Sequence, residues 1–126
     1  MPKGDEKMQY LLMIYQRESD WARLSEAETG KIFQEYMEFS KGIRKSGNYV
    51  GGNALQPVAT ATTVRVKDGK TLTTDGPFAE TKEQLGGYFL IEAKDLDEAI
   101  AIAARIPDAK KGSIEVRPIM PTPKVD

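Results

Sequence analysis

Between Thr74 and Ala93 the chain reads TDGPFAETKEQLGGYFLIEA, and this stretch restricts the fold more than any other. Tyr88-Phe89-Leu90-Ile91 is an apolar run rich in aromatic and branched side chains, which predicts a buried strand. Ahead of it lie Gly86-Gly87 and a charge cluster of Glu80, Lys82 and Glu83. Asp75-Gly76-Pro77 opens the segment as a tight turn. Asp can hydrogen-bond its own backbone there, Gly can take a positive φ, and Pro fixes φ while donating nothing.

The rest of the chain supplies neighbours for that strand. Met8 to Tyr15 (MQYLLMIY) is a second continuous apolar run of strand length. Gln16 to Leu24 reads as a loop, with Trp21 expected to pack over a core edge. Ser25 and Glu28 make a capping box, and Ile32, Tyr36, Phe39 and Ile43 recur along one helix face that Phe33 and Met37 are expected to widen. Gly47 is placed to end that helix in a left-handed cap. Tyr49-Val50 begins a short strand, and Gly51-Gly52 reads as a bulge or a point of close approach. Pro57 breaks the pattern. Ala61 to Lys67 then alternates as a half-exposed strand, and Asp68-Gly69 turns it back through Lys70 to Thr74 as a hairpin. Asp95 and Glu98 cap a second helix whose predicted face is Leu96, Ala99, Ile100, Ala103 and Ile106, ending at Pro107. Asp108 to Gly112 is a polar turn, and Ser113 to Ile119 a last strand.

Without the hairpin the order is βαββαβ, which predicts an α+β, ferredoxin-like fold: an antiparallel sheet covered on one face by two helices. One domain over 8–120 is expected, with a disordered-looking start at 1–7 and a loose tail at 121–126. A chain of 126 residues is long enough for a real core.

Composition removes several function classes. Eighteen basic residues balance nineteen acidic ones and are scattered along the chain, which argues against direct nucleic-acid binding and against a membrane surface. With no Cys there is no disulfide framework or thiolate nucleophile. The lack of His removes the most common general base near neutral pH and a frequent metal ligand. No cofactor or metal is expected, and the short apolar run near the N-terminus points to a cytoplasmic protein.

Several separated blocks resemble one family in the right order: MQYLLMIY, the VGG at Val50, the TATTVRV from Thr60, DGPFAETKEQLGGYFLIEA, and the SIEVRPIM from Ser113. Together they resemble the DGPF group of the YCII-related proteins. The resemblance implies a dimeric α+β barrel, in which two ferredoxin-like sheets pack face to face, and hence a homodimer. It also implies a link to extracytoplasmic-function sigma factors, beside which such proteins are often encoded. A His-Asp pair has been proposed as an active site in the wider group. Asp75 lies in the motif that corresponds to the Asp, and this chain has no His to complete the pair.

Three functions follow as expectations: a small-molecule-binding or regulatory accessory module, an enzyme in which Asp75 or Glu80 moves a proton on a small carbonyl or phenolic compound, and an adaptor for a sigma factor. Asp75 is expected mainly to brace its turn, and Glu80 to pair with Lys82 or an Arg. Arg117 either neutralises an acid of the Asp75–Lys82 segment or holds a ligand's carboxylate or phosphate. The candidate ligand-binding residues are Tyr15, Asp75, Gly76, Pro77, Phe78, Glu80, Lys82, Tyr88 and Arg117.

Overall fold

Two strands carry the sheet, and they are the two apolar runs. In the computed structural model, which describes residues 7–121, β1 (Met8–Gln16) and β5 (Gln84–Ala93) lie side by side at its centre. The expectations for the two chain ends fall almost wholly outside the described residues. The other elements in chain order are α1 (Glu18–Trp21), α2 (Glu26–Lys45), β2 (Tyr49–Ala54), β3 (Thr62–Lys67), β4 (Lys70–Asp75), α3 (Leu96–Ala103) and β6 (Ser113–Pro118). Short 3₁₀ turns occupy Val58–Thr60 and Pro107–Lys110.

The strand order is β2-β5-β1-β6, antiparallel at every pairing, and β3-β4 forms a separate ribbon. This is the expected ferredoxin-like arrangement with an inserted hairpin. Local chemistry sets its corners. Ser25 and Glu28 bond reciprocally, each side chain to the other's backbone N–H at 3.1 Å, and so start α2. Gly47 ends α2 at φ 81°, and Asp68 (φ 51°) with Gly69 (φ 74°) gives the hairpin its mirror-image turn. The register slips between Tyr49 and Gly51, so the expected bulge is present. Among the described residues no helix is long and apolar enough to cross a membrane.

Alternate residues of the central strands face the helices. Tyr10, Leu12 and Ile14 of β1 and Phe89, Ile91 and Ala93 of β5 are buried against Phe39 and Ile43 of α2 and Ala99, Ile102 and Ala103 of α3. Two expected helix faces need correction. Phe33 and Met37 do not widen the α2 face, and both are about two-thirds exposed, at 66% and 65%. A helix lying across a sheet touches it along one narrow stripe, and these two residues sit roughly a quarter to nearly half a turn away from Phe39 and Ile43. On α3 the inner face is Ala99, Ile102 and Ala103, while Leu96 and Ile100 are exposed. The small Ala99 and Ala103 let the helix come down close to the sheet, which brings Ile102 under it and rolls Leu96 and Ile100 outward.

α1 lies within the stretch read as a loop. Its four residues have no apolar period to betray them, and bonds from elsewhere hold the turn in place. The Glu18 N–H donates to Gln84 Oε1 at 3.0 Å, and Glu18 Oε2 accepts the Val58 N–H at 2.9 Å.

Close backbone approach matters most at Gly112, where a Cβ would overlap the Tyr15 carbonyl oxygen of β1. At Gly51 the same atom would meet nothing within 4 Å. We therefore expect Gly112→Ala to cost about 1–3 kcal/mol or more in urea unfolding, because backbone cannot yield as a flexible side chain does. Gly51→Ala should stay near wild type, and equal losses for both would contradict the packing described here.

Candidate functional site

The sequence-predicted residues divide between two places. Asp75 is the last residue of β4, still paired with Thr62, so its side chain is set by the strand and not by the turn that follows. It is exposed and makes no hydrogen bond among the described residues, which corrects its expected role as brace. Backbone and Thr63 do that work: the Gly76 N–H donates to the Ala61 carbonyl at 2.7 Å, and Thr63 Oγ1 donates to the Gly76 carbonyl at 3.0 Å. Gly76 itself has φ 96°. Pro77, Phe78, Glu80 and Lys82 follow on the surface. Glu80 pairs with neither Lys82 nor an Arg, since the ion pair found among the described residues is Arg117 with Glu115. Arg117 is thus satisfied two residues away on its own strand instead of reaching Asp75–Lys82. Phe78, 76% exposed, has the Arg65 guanidinium 5.1 Å from its ring centroid. Asp75 and Glu80 are both exposed, and neither carboxylate has a hydrogen-bond partner among the described residues.

Tyr15, Tyr88 and Arg117 come together elsewhere, on the sheet face turned away from the helices. The register sets Met13 opposite Tyr88 and Glu115, Leu11 opposite Leu90 and Arg117, and Tyr15 opposite Leu85 and Ser113. Tyr15 and Tyr88 are half-buried there, and the Tyr88 hydroxyl accepts from Asn53 Nδ2 at 2.9 Å. This is a surface and not a pocket.

The concave site lies on the other side, where α2 meets the turn that follows α3. Pro107 starts that 3₁₀ turn, and the N–H groups of Lys111 and Gly112 both donate to the Asp108 carbonyl, at 3.2 and 2.7 Å. The Asp108 side chain is thereby carried inward until the residue is only 6% exposed. One carboxylate oxygen accepts the hydroxyl proton of Tyr36, which lies on the inner stripe of α2. Burial, and then the bond to Asp108 and its negative charge, push the Tyr36 hydroxyl far above the ordinary tyrosine pKa.

Asp108 lines two adjoining cavities. The larger, about 290 Å³, is walled by Leu24, Ile32 and Pro107, with Lys31 and Lys111 at its mouth. The smaller, about 40 Å³, lies beneath Trp21 and Arg17. Trp21 is half-buried at this wall, so the expected core-edge packing is also the lining of a cavity. The second Asp108 oxygen has no hydrogen-bond partner among the described residues, yet no fully buried side-chain oxygen or nitrogen there lacks one. That oxygen therefore meets the cavity. No Lys or Arg is within ion-pair distance of Asp108 among the described residues. A buried carboxylate with one neutral donor and no countercharge is an unsatisfied electrostatic demand at the floor of a cleft.

Sequence reading passed over this site because its parts are 72 residues apart. Tyr36 occupies an ordinary core position of a helical stripe and Asp108 an ordinary polar turn. The one local signal is a Tyr on an otherwise apolar stripe, whose buried hydroxyl has to find an acceptor.

Tyr36→Phe should cost about 1–3 kcal/mol near neutral pH, since it leaves the Asp108 carboxylate without its donor. The raised Tyr36 pKa favours the protonated phenol in the folded state. Its contribution is complete below the unfolded value of about 10 and is lost as pH rises above it. Urea titrations from pH 7 to 11 should show wild type and Tyr36→Phe converging at the alkaline end, and a constant gap would contradict the bond.

Residues 8–123 match the model of the YCII-related domain. An uncharacterized protein of Rhizobium meliloti (strain 1021) is 36% identical over 114 residues, covering 89% of this chain and 92% of the relative. The family match extends from β1 through β6 and so takes in the sheet, the hairpin and the Asp108 turn alike, and with the relative's coverage it shows that the chain belongs to the YCII-related family.

Proposed function

We propose that this protein is a small-molecule-binding module, in an accessory or regulatory role, whose binding site is the cleft over Asp108. The observation that carries the reading is the buried Asp108 carboxylate, held by Tyr36 on one oxygen and open to a cavity of about 290 Å³ on the other. The cavity joins an apolar stretch of Leu24, Ile32 and Pro107 to a larger set of charged side chains, and ligand sites combine apolar surface with convergent polar groups in this way.

A second reading concerns assembly and rests on the sheet face that no helix covers. Leu11, Met13, Tyr15 and Leu90 share that face with Glu115 and Arg117 at its β6 edge. Half-buried apolar side chains on an uncovered sheet face gain from a partner's cover, and packing against a second copy would make a closed homodimer of two facing sheets.

Trp21 is the single Trp of the chain and lines the smaller cavity, which shares Leu24, Ile32, Asp108 and Lys111 with the larger one, so its emission is a nearby reporter of occupancy. In a metabolite screen we expect a compound that raises the melting temperature and saturably shifts Trp21 fluorescence, with both effects lost in Asp108→Asn. Stabilising compounds that bind Asp108→Asn equally well and leave Trp21 unmoved would place the site elsewhere. For assembly, sedimentation should give twice the chain mass at micromolar concentration. Leu90→Lys should shift it to monomer with its circular dichroism retained, and a compact wild-type monomer would refute the dimer.

A further inference from the structure

We infer that the cleft over Asp108 takes a zwitterion of the α-amino-acid type, with its ammonium group at the floor, its carboxylate at the rim and an apolar side chain along the wall. The inference rests on the reading of the cleft as a ligand site and adds the class of ligand.

Charge in the cleft is ordered by depth. At the floor stands Asp108, the one buried charged residue among those described, with a carboxylate oxygen facing the cavity and no Lys or Arg within ion-pair distance among the described residues. An ammonium group supplies the missing countercharge together with hydrogen-bond donors, the strong form of contact to a carboxylate. Tyr36 keeps the other oxygen engaged, so the free one is held in place before a ligand arrives. At the rim the balance reverses. Lys31, Lys110 and Lys111 line the larger cavity with exposed side chains, facing Glu28 and Glu35. Glu28 is already committed to the Ser25 N–H at 3.1 Å, and that bond holds its carboxyl below the usual range. Three lysines stand against two carboxylates at the mouth, a net of one positive charge, with Glu28 close enough to Lys111 to be favoured in its charged form.

A negative floor under a positive rim selects against single charges. A simple amine must pass three lysines to reach Asp108, and a simple carboxylate that enters deeply meets the Asp108 carboxylate with no cation or proton donor of its own. A zwitterion satisfies both levels at once. Leu24, Ile32 and Pro107 form the remaining wall and offer apolar surface to an aliphatic side chain.

Three compounds of one carbon skeleton test this on the wild-type protein: L-leucine, its decarboxylated amine isopentylamine, and its deaminated acid 4-methylpentanoic acid. Titrations are followed by Trp21 fluorescence and checked by calorimetry. We expect saturable binding of L-leucine, and at least tenfold weaker binding of each single-charge analogue. Asp108→Asn keeps an acceptor for Tyr36 and should lower L-leucine affinity at least tenfold. Lys111→Gln should weaken L-leucine but not isopentylamine. Because the analogue series uses wild type alone, a variant that fails to fold does not blunt the test. If L-leucine and the other apolar amino acids leave Trp21 unchanged while a different chemical class shifts it through Asp108, the ligand class is wrong and the cleft still a site. Equal affinities across the three leucine-skeleton compounds would likewise overturn the zwitterion. If no compound of any class acts through Asp108, the reading of the cleft itself fails.

Discussion

Phe89 is the contact on which the rest of the molecule depends. It sits in β5 between β1 and β2, and three rings converge on it: Phe39 edge-on at 5.1 Å, Tyr49 edge-on at 6.5 Å, and Tyr36 stacked at 6.5 Å. Gly52 on β2 makes room for it, since a Cβ there would come within 2.8 Å of the ring. The aromatic cluster therefore sets the position of α2 over the sheet and the depth to which Tyr36 sinks. That depth is what allows the Tyr36 hydroxyl to reach Asp108. A packing decision made at the centre of the sheet thus fixes a polar contact at its periphery.

The two faces of the sheet meet opposite physical demands. On the helix side apolar side chains close completely around Leu12 and nearly so around Phe89, and among the described residues the one buried carboxylate, Asp108, has no Lys or Arg within ion-pair distance. On the other side half-buried Leu11, Met13 and Leu90 lie open, bordered by a paired Glu115 and Arg117. The first is a demand for charge and the second a demand for apolar cover. A small ligand can answer the first without disturbing the second. That is why the proposed binding and the proposed assembly lie on opposite sides of the sheet, the first among the helices and turns that cover it and the second on its bare face.

What could be read in the sequence is what depends on neighbours along the chain. The Ser25–Glu28 capping box, the Asp68-Gly69 turn, the Gly47 cap and the bulge at Gly51 all follow from residues within a few positions of one another. Their order around two apolar runs was enough to give the topology. The failures concern orientation and distant partners. Whether Ile100 or Ile102 faces the sheet depends on how closely α3 approaches it, and Arg117 had an acid available on its own strand that the strand pattern did not single out. Asp75 looked like a turn residue because Gly and Pro follow it. The ladder keeps it in β4, one position too early to bend over the turn. The Tyr36–Asp108 pair was invisible because a long-range bond leaves no period or spacing behind.

The charged segment that dominates the sequence can still govern the site, although its acids do no chemistry there. Its last residues tie together parts of the chain that have no other reason to meet. Glu83 accepts from Ser113 Oγ at 2.8 Å, which fastens the segment to β6 just beyond Gly112. The Gln84 amide donates to the Thr81 carbonyl at 2.6 Å and accepts the Glu18 N–H at 3.0 Å. Glu18 in turn holds Val58. Gln84 thus anchors α1, a single turn too short to stand on its own, and α1 carries Trp21 to the cavity wall. The side chains that mark Asp75 to Gln84 so strongly act by position: they fix one wall of the cleft and the β6 end of the Asp108 turn, while the charge that confronts a ligand comes from Asp108.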